Sequence, residues 1–132
     1  MPKKILVVED DVTMRETLTA LLRREGFEVV SACDGEDGFM QAQLHHPDLV
    51  ITDLQMPLLD GVALARKLRE ESVLAHSPIL ALSANLSEYN LPERMNSGIT
   101  RFYDKGGHDG QSLLLTVHNL LEASASPSVE YA

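Results

Sequence analysis

The chain has 132 residues, enough for one domain with a buried core, and a formal net charge of -9 from 20 acidic and 11 basic side chains. This charge argues against non-specific binding to nucleic acid, which depends on neutralising phosphates with cations. The single cysteine, Cys33, excludes an intramolecular disulfide, the apolar run near the N-terminus is too short for a signal peptide, and no stretch approaches transmembrane length. We therefore expect a cytoplasmic protein that binds neither nucleic acid nor membrane, and we interpret Cys33 as a small packing residue.

Five segments are predicted to form strands. Residues 5–8, 49–51 and 79–82 are apolar almost without interruption and do not alternate with polar residues. This pattern is typical of strands covered on both faces, as in parallel sheets. Residues 27–30 and 100–103 are weaker strand candidates.

Helical patterns follow the first two strands. Thr13 and Glu16 form a predicted capping box that opens the first helix, and Gly26 ends it. The second helix is predicted over residues 35–46 and stops before Pro47.

Three further helices are predicted in the second half of the chain. Asp60 can cap the third helix. Pro92 interrupts residues 87–97, so only a short helix that begins near this proline is expected there. The last helix is predicted over residues 109–123, with an inward stripe of Leu113, Val117, Leu120 and Leu121.

A strand followed by a helix, repeated five times, predicts an α/β fold with a mainly parallel sheet and helices on both faces. Right-handed crossovers leave few topologies for such a chain. No internal linker or repeat is visible, so we predict one domain over residues 1–123 and a flexible tail over residues 124–132.

The residues that follow the strands carry the chemical information, because ligands of open α/β sheets bind beyond the carboxyl ends of the strands. Acids come after the first and third strands, a hydroxyl after the fourth and an ammonium group after the fifth. In chain order these residues are Glu9, Asp10, Asp11, Asp53, Ser83 and Lys105.

Glu9, Asp10 and Asp53 are predicted to gather at this edge. Two like charges about 4 Å apart repel each other by roughly 4 kcal/mol at an effective dielectric near 20. Such a cluster is either protonated or holds a cation, and oxygen ligands with room for water suit Mg²⁺. Taken singly, an aspartate after a strand is most often a turn former or a helix cap, which is how we interpret Asp11 and Asp60.

Four segments together resemble the receiver domain of two-component response regulators, chemotaxis receivers among them. They are ILVVEDD at 5–11, DLVITDLQMP at 48–57 with Asp60 and Gly61 after it, PILALSA at 78–84, and Asp104-Lys105. The resemblance covers about residues 3–121. It implies a flavodoxin-like, doubly wound, five-stranded parallel sheet with strand order 2-1-3-4-5.

The resemblance also implies the roles of the acids. Asp53 is the expected site of phosphorylation. Asp10 is expected to bind Mg²⁺ directly, with Mn²⁺ as a substitute, while Glu9 acts mostly through water. Gln55 is expected to offer its backbone carbonyl to the metal, and Asp53 completes the set.

Further positions match the parts of the family that respond to phosphorylation. Ser83 is the expected switch hydroxyl, Lys105 the expected partner of phosphate and carboxylate, and Phe102 the expected switch aromatic. The loop after the third strand is expected to be shaped by Met56, Pro57 and Gly61.

The chain departs from the family pattern at two places. Lys105 is followed by Gly106 and Gly107 where the family usually has a proline in a cis peptide, so we expect a trans peptide here. Pro92 lies in the helix that belongs to the usual signalling face, so that face is expected to be reshaped.

The resemblance implies that the chain takes a phosphoryl group from a histidine kinase or a phosphotransfer protein and then changes a surface that a downstream protein contacts. It is not expected to be a turnover enzyme, although it would catalyse its own phosphorylation and dephosphorylation. Leu114 and Leu115 lie outside the core stripe of the last helix, where a wide apolar face is the simpler interpretation and a homodimer contact the alternative.

Three other interpretations were weighed. A phosphatase with an aspartate nucleophile would carry a second acid two residues later, where this chain has Gln55. A flavodoxin-like electron carrier would need a phosphate-binding loop after the first strand, where this chain has acids. A pseudo-receiver that is never phosphorylated remains open because of Gly106.

Overall fold

The computed structural model describes residues 2–56, 58–84, 98–105 and 110–125, with the side chains of the last two residues left out. The strands are β1 Lys4–Val8, β2 Glu28–Ala32, β3 Leu49–Asp53, β4 Ile79–Ser83 and β5 Arg101–Asp104. The helices are α1 Val12–Arg24, α2 Gly35–His45, α3 Gly61–Glu70, a 3-10 turn at Ser72–Leu74, and the last helix, Gly110–Ala125.

The five strands form one parallel sheet in the order β2-β1-β3-β4-β5, which confirms the predicted fold class and strand order. The register aligns Val8 with Thr52, Asp53 with Leu82, and Ser83 with Asp104. The carboxyl ends of β1, β3, β4 and β5 therefore meet at one edge of the sheet.

Two hydrophobic clusters cover the two faces of this sheet. Successive residues of β1 point to opposite faces, so Ile5 and Val7 pack with α1 and the last helix, whereas Leu6 and Val8 pack with α2 and α3. The predicted inward stripe of the last helix is buried in the first cluster. This two-sided burial explains why the central strands are apolar without alternation.

The cap of α1 differs from the predicted capping box of Thr13 and Glu16. Asp11 is the N-cap, and its side chain accepts a hydrogen bond of 3.1 Å from the backbone N–H of Thr13. A carboxylate one residue before the helix takes this place because it reaches the free N–H groups of the first turn. The expected capping roles of Asp11 and Asp60 are confirmed, since Asp60 accepts from Ala63 at the start of α3.

The prediction that Cys33 is a small packing residue is wrong, because Cys33 is exposed. β2 extends to Ala32, which is buried, and the next residue points the other way, so Cys33 is exposed.

Several predictions fall outside the described residues. They concern Pro57, the short helix near Pro92, the Lys105–Gly106 peptide with Gly107, and the end of the tail. Among the helices that the structure describes, none combines the length and the apolar composition needed to cross a lipid bilayer.

Candidate phosphorylation site

The acids predicted to converge do so at the carboxyl edge of the sheet. Asp53 is the last residue of the central strand β3, and Glu9 follows β1 directly. The backbone N–H of Glu9 donates to the carbonyl of Ala32 at 3.1 Å, which holds the residue in line with the sheet. Glu9, Asp10 and Asp53 each offer a carboxylate oxygen, and these oxygens lie within 4.8 Å of one another.

Burial makes this cluster costly unless its charge is neutralised. Glu9 is 1% exposed and Asp53 is 9% exposed, whereas Asp10 faces solvent. At the 4.8 Å limit, two carboxylates repel by about 3–4 kcal/mol at an effective dielectric near 20. Burial and the neighbouring charge of Asp53 raise the pKa of Glu9 to about 7, against the opposing effect of Lys105.

Lys105 neutralises part of the cluster. Its Nζ lies 3.1 Å from Asp53 Oδ2 and 3.2 Å from Glu9 Oε1. Burial lowers the pKa of the ammonium group, but the hydrogen bond and charge of Asp53, together with those of Glu9, outweigh this effect and raise the pKa overall. The cluster has three carboxylates and the ammonium group of Lys105 contacts two of them, so a cation of higher charge fits this donor set.

The two oxygens of Asp53 have different partners. Oδ2 accepts from Lys105, whereas Oδ1 accepts from the backbone N–H of Gln55 at 3.3 Å. The peptide of Asp53 is fixed as well, because its carbonyl accepts from the Thr52 hydroxyl at 2.9 Å. The carboxylate is thus oriented by the chain through both of its oxygens.

The loop between β3 and α3 carries the predicted loop-shaping residues. Met56 packs against the second hydrophobic cluster, which fixes the loop from below. Gly61 is needed for close packing, since a Cβ at this position would lie 2.5 Å from the carbonyl oxygen of Asp53. This is a different reason from the predicted turn, because Gly61 is the first residue of α3 and has no positive φ. Among the described residues of this loop, Leu58 has a left-handed backbone, with a φ of 71°.

The predicted switch residues lie on the two neighbouring strands. Ser83 ends β4 and is 1% exposed, and its carbonyl accepts from the backbone N–H of Lys105 at 2.8 Å. Phe102 lies opposite Ala81 in β5 and is partly buried. The structure therefore brings Ser83 and Lys105 to the edge that carries Asp53, whereas Phe102 lies in β5, separated from the strand of Asp53 by β4.

Sequence reasoning missed one residue that touches the acid pocket. Arg15, on α1, donates from Nη1 to the backbone carbonyl of Glu9 at 2.7 Å. An arginine on an amphipathic helix normally indicates a solvated face, so no sequence pattern could have marked it.

The response regulator receiver domain model matches residues 5–118 of this chain. Among curated proteins, the chain is 46% identical over 82 residues to a probable transcriptional regulator, ycf27, of Cyanophora paradoxa, covering 62% of this chain and 33% of that protein. It is 38% identical over 90 residues to the alkaline phosphatase synthesis regulator PhoP of Bacillus subtilis, covering 68% and 37%. It is 39% identical over 95 residues to the transcriptional regulator PdtaR of Mycobacterium tuberculosis, covering 71% and 44%.

Solved structures show the same likeness over whole domains. The chemotaxis response regulator CheY4 of Vibrio cholerae is 28% identical with a TM-score of 0.84, and the alignment covers 91% of this chain and 99% of that one. The receiver domain of Francisella response regulator 1452 is 26% identical with a TM-score of 0.82, covering 92% and 98%. The chain spans less than half the length of the curated relatives named above. The fold, the acidic edge and these matches agree, and the chain belongs to the response regulator receiver domain family.

Proposed function

We propose that Asp53 accepts a phosphoryl group from a phosphohistidine on a sensor kinase or a phosphotransfer protein. The observation that carries this proposal is the pair of contacts on its carboxylate. Lys105 and the Gln55 N–H each hold one oxygen, while Glu9 and Asp10 stand within 4.8 Å. Receiver domains are signalling modules of two-component systems, and the finer assignment to Asp53 rests on this geometry.

The proposed reaction is an in-line displacement at phosphorus. A carboxylate oxygen of Asp53 forms a bond to phosphorus, and the bond from phosphorus to the histidine nitrogen breaks, so the imidazole leaves. Lys105 stabilises the negative charge on a phosphoryl oxygen, and the Ser83 hydroxyl donates to another. Water later cleaves the acyl phosphate, which restores the carboxylate and releases inorganic phosphate.

A divalent cation fits the donor set of Glu9, Asp10 and Asp53. These oxygen ligands suit Mg²⁺, with Mn²⁺ as a substitute, and the backbone carbonyl of Gln55 is the proposed further ligand. When bound, the ion would spread the charge of the phosphoryl oxygens. The chain's own part is to hold the carboxylates together and keep the nucleophile oriented through Lys105 and Gln55.

The proposed output is a population shift between two conformations of the domain. Ser83 moves towards the phosphoryl group, and Phe102 turns inward because space opens beside the strand. The changed surface is contacted by a downstream protein. We propose that the domain works in the cytoplasm and does not itself bind nucleic acid, although several matched relatives are named transcriptional regulators.

A homodimer through the last helix is the alternative use of that surface. Leu115 is 63% exposed, whereas Leu114 packs partly against the core, so a single large apolar side chain is presented by this pair. Light scattering over a concentration series, with and without beryllofluoride as a phosphate mimic, tests the dimer. A mass that stays monomeric in both series would contradict it.

The decisive experiment is intact-protein mass spectrometry after incubation with acetyl phosphate, with and without Mg²⁺. We expect a gain of one phosphoryl group that requires the metal and is abolished by Asp53→Asn. Asp60→Asn is the matched control, because it changes an exposed acid of the same loop and keeps a good helix cap. Wild-type labelling of the Asp53→Asn protein would refute the proposal, and no labelling of the wild type would favour an interaction module that is never phosphorylated.

A further inference from the structure

A polar groove lies between α1 and the edge strand β2, and Arg15, which donates to the Glu9 carbonyl, stands between this groove and the phosphorylation pocket. Its volume is about 370 Å³, and it is lined by Arg15, Glu16, Thr19, Ala20, Arg23 and Ser31. No acid of the pocket at the carboxyl edge takes part in this lining. The groove is thus a separate surface feature, with two arginines in a chain of net charge -9.

The two arginines form a stripe with Thr19. Arg15, Thr19 and Arg23 are four residues apart along α1, so they share one face of the helix, and the outer two are separated by about 12 Å. Each arginine has a described hydrogen bond to a backbone carbonyl, from Arg15 to Glu9 at 2.7 Å and from Arg23 to Val29 at 3.3 Å.

These contacts use only some of the N–H donors of each guanidinium group. A guanidinium group has five N–H donors, and neither Arg15 nor Arg23 takes part in an ion pair within the described part of the chain. Thr19 also has an unsatisfied polar atom, since its Oγ1 is shielded from solvent without a hydrogen-bond partner among the described atoms. Glu16 is the opposing charge, and it stands at the exposed side of the groove.

The other wall of the groove is a strand edge. β2 pairs only with β1 among the described strands. The backbone of Glu28 and of Ala32 bonds towards β1, so the alternate residue Ser31 turns its backbone outward. An exposed edge of this kind can pair with an extended peptide.

We propose that this groove binds an extended acidic segment of a partner protein, with two carboxylates four residues apart, one on each arginine. Four residues of extended chain span about 13 Å, which matches the rise of about 12 Å along the helix axis from the Cα of Arg15 to the Cα of Arg23. The backbone of the segment runs beside Ser31 and its carboxylates form charge-assisted hydrogen bonds with the guanidinium groups. The open shape and the strand edge favour a peptide over a compact anion. This interaction does not depend on phosphorylation of Asp53.

The test is fluorescence polarisation with a fluorescein-labelled peptide that carries two glutamates separated by three neutral residues. Arg23→Gln is expected to weaken binding about tenfold, as the loss of a bidentate pair would. Arg24→Gln is the matched control, because it makes the same charge change on the same helix outside the groove, and it is expected to change affinity less than about twofold. Glu16→Gln is expected to strengthen binding about two- to threefold, because it removes the opposing charge.

Three outcomes would overturn the proposal. They are no saturable binding to the wild type, equal losses for Arg23→Gln and Arg24→Gln, and equal binding of a peptide of the same composition with adjacent glutamates. Urea denaturation of each variant checks that it is folded, and the exposed Glu16→Gln position supplies a gain of affinity that misfolding cannot produce. The Asp53→Asn protein is expected to bind the peptide as the wild type does, so failure of the groove and failure of the phosphorylation site are distinguishable.

Discussion

Two half-buried cations lie at opposite ends of the parallel sheet, and their surroundings differ. Lys105, at the carboxyl edge, contacts the carboxylates of Asp53 and Glu9 at 3.1 Å and 3.2 Å. Arg69, at the end of α3, reaches the amino end of β4 and the segment before β5. It pairs with no carboxylate within the described part of the chain.

The acceptors of Arg69 are uncharged and numerous. Its Nη1 donates to the carbonyls of Leu74, Ala75 and Ser77 at 3.1, 3.1 and 2.6 Å, its Nε donates to Gly98 at 2.8 Å, and its Nη2 donates to the Thr100 hydroxyl. Burial lowers the pKa of this guanidinium group, yet its N–H groups are well matched by neutral dipoles. Arg69 therefore ties the ends of several segments together.

The difference between Lys105 and Arg69 shows that a buried charge does not by itself mark a functional site. At Arg69 every described partner is a fixed dipole of the fold, so the arrangement is complete. At Lys105 the ammonium group contacts two carboxylates of a cluster of three, so the arrangement has surplus negative charge and suits a further cation. Four experiments test what these different surroundings do.

The largest effect is expected at Lys105. Lys105→Met should slow the labelling of Asp53 by acetyl phosphate by about 100-fold, because a charged donor to the phosphoryl oxygens is lost. Mass spectrometry over time measures the rate. Lys3→Met, at an exposed position on the opposite edge, should leave the rate within about twofold. Equal rates for the two variants would remove Lys105 from the proposed chemistry.

At the other end, Arg69→Met should lower the free energy of unfolding by about 2–4 kcal/mol, because several partly buried carbonyls each lose a hydrogen-bond donor. Urea denaturation measures this change. Arg66→Met, at an exposed position of the same helix, should change it by less than about 0.5 kcal/mol. The folded Arg69→Met protein should still be labelled at Asp53. A loss of labelling without a loss of stability would contradict a purely structural role.

The surplus charge at the carboxyl edge predicts a dependence on Mg²⁺ and pH. The pKa of Glu9 in the folded chain is about 7, above its ordinary value of 4.5, so without metal the folded state binds the extra proton and becomes less stable as pH rises between these values. Below pH 7 this proton competes with the ion. Mg²⁺ should therefore raise the melting temperature more at pH 8 than at pH 6, which thermal unfolding measures.

The matched pair for this experiment is Asp10→Asn and Asp11→Asn. Asp10 belongs to the acid cluster, whereas Asp11 caps α1 and can be replaced by asparagine without loss of the cap. Only Asp10→Asn should reduce the Mg²⁺ effect. An equal Mg²⁺ effect in both variants would show that the ion binds elsewhere.

The smallest effect is expected on the reactivity of the exposed Cys33 thiol, which lies beside two aspartates. Loss of hydration and the charges of Asp34 and Asp37 raise the pKa of the Cys33 thiol, whose sulfur lies 3.7 Å from both carboxylates. Asp37→Asn should lower this pKa and speed alkylation by iodoacetamide at pH 8 about two- to threefold, because more thiolate is present. Glu36→Gln, between the two acids in sequence, is the control and should have no such effect. Identical alkylation rates would contradict the assigned cause.

The fold could be predicted from the sequence because its central strands are buried on both faces. Apolar runs at 5–8, 49–51 and 79–82 mark β1, β3 and β4, and the order of the site residues follows from where these strands end. Asp53 and Glu9 could be placed together for this reason, whereas the placement of Lys105 depended on the weaker strand candidate before it. The two weaker strand candidates, 27–30 and 100–103, were predicted to begin and end too early, because β2 ends at Ala32 and β5 at Asp104. Both are edge strands of the sheet.

The features that could not be predicted depend on tertiary contacts with backbone atoms. Arg15 and Arg69 donate to carbonyls of distant or irregular segments, and a sequence does not reveal which carbonyl a folded chain presents. Asp11 and Thr13 were both predicted as possible caps, and the sequence alone does not decide which of two good caps begins α1. The exposure of Cys33 was not predicted because the predicted strand ended at residue 30, so the sequence did not show that Cys33 follows the buried Ala32 on the opposite side.

The loop after β3 packs closely against two glycines, Gly35 and Gly61. A Cβ on Gly35 would collide with the backbone oxygen of Leu59, and one on Gly61 with that of Asp53. Neither glycine has a group that could touch a phosphoryl oxygen. A saturation mutagenesis screen for signalling would nevertheless score both positions as intolerant of substitution. A map of loss-of-function positions on this domain would therefore include residues that only position this loop, as well as those that take part in the chemistry.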